Sequence, residues 1–165
     1  MNIPSAKRMA VLCLGLFFAC AAPVLSQPAI ELMSGDIDRV EIKGLPPTKT
    51  QQRALISFHV SDSARNRARA AGQSLPENLS ASIEGKAVDL KLSADQSLYS
   101  AEIGAPRRLP LDKPTSFAHR DSGAVKGTGP AGNPNFEIEF EPCAANCKSV
   151  IFRTKCIVCI KKISW

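Results

Sequence analysis

Aromatic residues are scarce in this chain, with seven Phe, one Tyr and one Trp among 165 residues, and there are two histidines. The shortage argues against an outer-membrane barrel, which needs an aromatic girdle at each interface. His59 and His119 sit in no metal-binding or hydrolase motif. Ser57, His59 and Asp62 are close in sequence, but a catalytic triad requires convergence in space, and alternation puts Ser57 and His59 together on a polar strand face. A nucleotide fingerprint is spelled by Gly127-Thr128-Gly129-Pro130-Ala131-Gly132, yet Pro130 and Pro134 preclude the helix start on which a pyrophosphate rests. Neither a cofactor nor a metal is therefore expected.

Long apolar runs are also missing after the first 26 residues, so no transmembrane segment is expected beyond them. Those 26 residues read as a signal peptide: Lys7 and Arg8 form a basic start, Met9 through Ala22 is apolar, and Pro23 ends the run. Cleavage is expected after Ser26, giving a secreted or periplasmic domain that starts at Gln27. Lipidation at Cys20 is a minor alternative, because Phe17-Phe18-Ala19 makes a poor lipobox. The formal net charge of +6 falls by two with the signal, leaving a mild basic excess that permits an anionic partner without requiring one.

Short blocks of period-two alternation, separated by turn residues, point to a mainly β fold. Val40 and Ile42 make one such block, and Ala54, Ile56, Phe58 and Val60 make the next. Leu79, Ala81 and Ile83 face Val88, Leu90 and Leu92 across Glu84-Gly85-Lys86, and Leu98 to Ile103 completes a three-stranded meander. The meander resembles those of exported immunoglobulin-like modules, without their Cys and Trp framework. The resemblance implies fold alone; an immunoglobulin-like sandwich and a small β-barrel both fit.

One short helix is expected from Ser63 to Ala71, with Ser61 or Asp62 as N-cap and Gly72 beyond its end. It carries Arg65, Arg67 and Arg69, a possible anion-binding group because residues 65 and 69 lie one turn apart. No aromatic residue is interleaved there to stack on bases, so lipid headgroups or envelope polysaccharide suit the arginines better than nucleic acid.

Residues 27–103 thus form the N-terminal part of a β domain, and residues 104–135, rich in Pro and Gly, read as a long loop. Loops of that length are often functional, which nominates Phe117, His119 and Arg120 as partner-binding residues. Clean alternation resumes with Phe136, Ile138 and Phe140 on one face and Glu137, Glu139 and Glu141 on the other. Residues Ser149 to Lys155 also have strand composition, with Arg153 and Lys155 able to oppose those glutamates. Residues 136–165 are therefore expected as a C-terminal hairpin of the same domain.

That hairpin holds Cys143, Cys147, Cys156 and Cys159; the remaining two cysteines, Cys13 and Cys20, lie in the signal. In an oxidising compartment the four form two bridges, in one of three possible connectivities. On a regular strand Cys156 and Cys159 point to opposite faces, so bridges between the two pairs are favoured. A four-thiolate zinc site at the same residues is the alternative; its eight-residue spacer is cramped and export disfavours it. A redox pair at Cys156 and Cys159 has Lys155 beside it but no helix N-terminus to stabilise a thiolate.

The sequence thus predicts an exported, non-enzymatic binding or envelope-associated structural domain with two structural disulfides. Its partner is undetermined, an envelope component or another exported protein. A thiol-redox protein and an inhibitor-like or toxin-like binding module are the alternatives.

Overall fold

A computed structural model of the chain describes residues 28–129, 136–143 and 156–165. The expected signal peptide, Cys147, the Ser149–Lys155 segment and the later part of the GxGxxG string lie outside the described residues.

Nine strands form one sheet among the described residues: β1 (Ile37–Leu45), β2 (Gln52–Val60), β3 (Asn78–Ile83), β4 (Lys86–Leu92), β5 (Leu98–Ala105), β6 (Thr115–Ala118), β7 (Gly123–Lys126), β8 (Glu137–Glu141) and β9 (Cys156–Ser164). Their order is β6-β1-β2-β5-β4-β3-β9-β8-β7. The two edges approach each other where Ser116 N–H donates to the Thr128 carbonyl at 3.0 Å and Thr128 N–H returns a bond at 2.8 Å. The sheet is thus a nearly closed barrel, and the barrel rather than the sandwich is the architecture. All described pairings are antiparallel except β3 with β9.

Alternation explains the closure. Val40 and Ile42, Ala54 and Ile56, Ala81, Tyr99, Phe117, Ile138 and Ile160 are buried on the inner face, while Glu41, Lys43, Asp89, Glu102 and Glu139 point outward. An apolar interior with charged residues outside is the reverse of a water-filled membrane barrel. The β3–β4 hairpin turns on Glu84 and Gly85, both at positive φ, the two-residue geometry that matches strand twist.

Two bulges reset the alternation of β9. Ser80 pairs with Cys156 and Ala81 with Val158, so Ile157 is an extra residue; on the other side Phe140 pairs with Ile160 and Glu139 with Lys162, so Lys161 is extra. The first bulge corrects the sequence expectation for the cysteines. Cys156 and Cys159 pair with Ser80 and Ser82, which share the outer face of β3, and so lie on one face rather than opposite ones.

The helix α1 (Asp62–Ala70) has Ser61 as its N-cap, accepting a bond from Ala64 N–H at 3.2 Å. It buries Ala64 and Ala68 over one barrel end, beside the N-terminal strap that contributes Ile30 and Leu32. The strap is fastened by Ile30 N–H to the Ser74 carbonyl at 3.0 Å and by Ser61 N–H to the Asp36 carbonyl at 2.8 Å. At the opposite end, residues 106–114 fold inward to bury Leu109, and Gly44 donates its N–H to the Pro110 carbonyl at 2.7 Å. A side chain at Gly44 would bring Cβ within 2.8 Å of the Leu109 carbonyl carbon, which requires glycine there.

Over residues 104–129 the expected loop is therefore corrected. β5 runs through Ala105, and the stretch contains β6 and β7. Its described prolines fall between these short strands, at 106, 110 and 114, where no ladder N–H is needed.

Candidate functional site

The barrel end covered by the strap also gathers the chemically distinctive side chains. A cleft of about 420 Å3 opens there between four segments. The strap supplies Glu31 to Ser34, the β6–β7 connection supplies His119 and Asp121, the end of β8 supplies Glu141 to Cys143, and the start of β9 supplies Cys156, Ile157 and Cys159. Antiparallel order explains the meeting: β6 and β8 end where β7 and β9 begin.

The cleft's wall is a disulfide. Cys143 and Cys156 are bonded, with Cα atoms 5.9 Å apart, so one bridge between the two cysteine pairs is present. It links positions 13 apart in sequence, between the strands of the C-terminal hairpin. Cys143 is exposed and Cys156 half-buried. Cys159 is buried, its Sγ 3.3 Å from Glu141 Oε1. A zinc site needing all four thiolates is incompatible with this bond, and the described residues contain no cluster able to hold a metal.

His119 stands at the back of the cleft. Its Nδ1 lies 2.9 Å from the Ile37 carbonyl, its backbone N–H donates to the Asp38 carbonyl at 3.0 Å, and its ring meets Phe140 edge-on with centroids 5.1 Å apart. Burial pushes its pKa below the usual 6.5, against the opposing pull of the Ile37 carbonyl, Asp121, the Ser34 backbone and Asp38. Burial thus favours the neutral imidazole, in the tautomer whose Nδ1–H donates to the Ile37 carbonyl.

Three charged groups line the cleft among the described residues, Glu31, Asp121 and Glu141, all acidic and all at the exposed lip. Leu32 and Ile157 form an apolar floor, and Met33 stands at the rim with 64% of its surface exposed. The described charged side chains that line the cleft are thus acidic, around an apolar base.

The remaining nominated residues lie elsewhere. Phe117 is only 1% exposed and packs in the barrel core, so it is not a surface anchor; its position on β6 turns it inward. Arg120 is exposed in the β6–β7 connection, and His119 alone of that trio lines the cleft. Arg67 is committed to Asp36, with Nη2 2.6 Å from Oδ2 and Nη1 3.1 Å from Oδ1. Burial would raise the Asp36 pKa, but the Arg67 hydrogen bonds, the Met33 N–H and the Arg67 charge hold it below the ordinary value. Arg65 pairs with Asp62, and Arg69 is exposed. The three arginines therefore serve different purposes and do not form one anion site.

His59 belongs to a cross-strand cluster on the outer face. Arg39 Nη2 lies 3.2 Å from its Nδ1, Arg39 Nε lies 3.3 Å from Glu41 Oε1, and Ser116 Oγ donates to Glu41 Oε1 at 3.0 Å. His59 Nε2 is 3.1 Å from Glu41 Oε2, near enough for an ion pair but angled away from a hydrogen bond. This array spans β6, β1 and β2 and ties three strands together. Glu139 finds its cation in Lys161 at 2.6 Å, from the bulge of β9.

Sequence reasoning missed Glu31, Met33 and Asp121, which share no spacing or motif and meet only through topology. Among known proteins, no family model, no curated protein and no solved structure matches the chain.

Proposed function

We propose that the chain is an exported, non-enzymatic binding domain that works at the cell envelope or on another exported protein, using the disulfide-framed end of its barrel. The observation that carries this reading is the cleft itself: an apolar floor, an acidic lip and a wall fixed by Cys143–Cys156. The barrel interior is filled by side chains such as Phe58, Tyr99, Phe117 and Ile160, which leaves the outer surface for recognition. A rigid concavity spares a ligand part of the ordering cost of binding.

Export is supported by the basic and apolar pattern of residues 1–26 and by a disulfide of the kind that persists in oxidising compartments. Two between-pair bridges would join Cys147 to Cys159 once Cys143 holds Cys156. The lip's charge favours a partner that presents a cationic group on an apolar stem.

A lysine-rich peptide tests the reading. Titrated into isotope-labelled protein, it shifts amide resonances at residues 31–34, 119–121, 141, 143 and 156–159, and a control glutamate-rich peptide leaves them unmoved. Shifts scattered over the barrel, or equal responses to both peptides, overturn it.

A further inference from the structure

We propose that Cys143–Cys156 is a thiol-exchange site whose cleft selects positively charged thiols, so that a basic partner is captured as a mixed disulfide on Cys143. This deepens the binding reading and rests on it. The disulfide forms the cleft's wall instead of lying inside the core. Cys143 is exposed and Cys156 is half-buried, so an incoming sulfur reaches Cys143 first. Exposed disulfides are the exchangeable ones, while enclosed ones resist thiols. Asp121 and Glu141 stand in the same cleft, and their charge attracts a cationic thiol and repels an anionic one.

The chemistry is redox-neutral. The incoming thiol loses its proton to solvent, and its thiolate attacks Cys143 Sγ. A new sulfur–sulfur bond forms as the Cys143–Cys156 bond breaks, and the electron pair leaves on Cys156 Sγ, which takes a proton from water. The products are a mixed disulfide at Cys143 and a thiol at Cys156. The only co-reactant is the cationic thiol itself, carried on a small amine or on a cysteine flanked by basic residues.

Three probes of like size test the proposal: cysteamine, 2-mercaptoethanol and 2-mercaptoethanesulfonate, compared at matched thiolate concentration and low ionic strength. Folded protein reacts about tenfold faster with cysteamine than with the sulfonate, with the neutral thiol between. That preference collapses to the value for urea-unfolded protein in the Asp121→Asn/Glu141→Gln variant and at high salt. Mass mapping after alkylation places the adduct on Cys143 and the alkyl group on Cys156. Equal selectivity in folded and unfolded protein, a preference unchanged in the variant, or an adduct on Cys156 overturns the inference. If the thiols show no preference while the lysine-rich peptide still shifts the cleft amides, exchange fails and the binding reading stands.

Discussion

His119 and Phe140 meet edge-on, with ring centroids 5.1 Å apart and planes at 84°, across the gap where β6 and β7 diverge. The contact joins the end of β6 to β8 over the first residue of β7, since Phe140 pairs with Gly123. A polar ring thereby acts as packing material at the barrel's open seam, where burial disfavours its charged form.

That burial makes stability depend on pH. The folded pKa of His119 lies below 6.5, so between that value and 6.5 the unfolded chain binds more protons than the folded one. Stability therefore falls as pH drops through this window and levels off below the folded value. Urea titrations across the window show a slope reflecting up to one proton, and His119→Phe flattens it; an unchanged slope in the variant contradicts the assignment.

Asp36 and Arg67 give a second dependence, at lower pH. The folded carboxyl is held below the ordinary 3.8, so the pair stabilises above that value and loses its effect as pH falls through the folded pKa. Arg67→Ala lowers the urea midpoint at neutral pH, and the difference from the parent shrinks in acid. Arg69→Ala, at an exposed position of α1, changes stability by no more than about 0.5 kcal/mol.

Phe117 separates core from surface. Its ring is buried on β6, so Phe117→Ala costs about 3–5 kcal/mol of stability, measured by denaturant unfolding. Arg120→Ala, three residues later and exposed beyond the end of β6, changes stability by no more than about 0.5 kcal/mol. A small cost at Phe117 would mean that β6 does not close the barrel.

The cystine at the cleft contributes by restricting the unfolded chain. Its loop is short, and the Cys143→Ser/Cys156→Ser variant loses about 2–4 kcal/mol. Urea unfolding of the oxidised parent and of the double variant measures the difference.

Much of the barrel was legible from alternation. The β3–β4–β5 meander, the Ser61-capped helix and the inward Ile138 and Phe140 all follow the spacing of apolar residues and the placing of turn residues. Two features escaped for definite reasons. β6 and β7 are four residues each, too short for periodicity to stand out among prolines and glycines. The bulge at Ile157 adds one residue without any local signature, and a one-residue insertion flips the facing of Cys159. The cleft was legible only in part: His119 and the cysteines could be nominated by residue type, whereas Glu31, Met33 and Asp121 join them through strand order.

Peptide mapping of unreduced protein recovered from an exporting host, with intact mass before and after reduction, tests the central claim most directly. The account predicts a chain beginning at Gln27, four hydrogens lighter than its reduced form, with Cys143 linked to Cys156. A retained N-terminal segment, or Cys143 and Cys156 both open to alkylation without reductant, would contradict it.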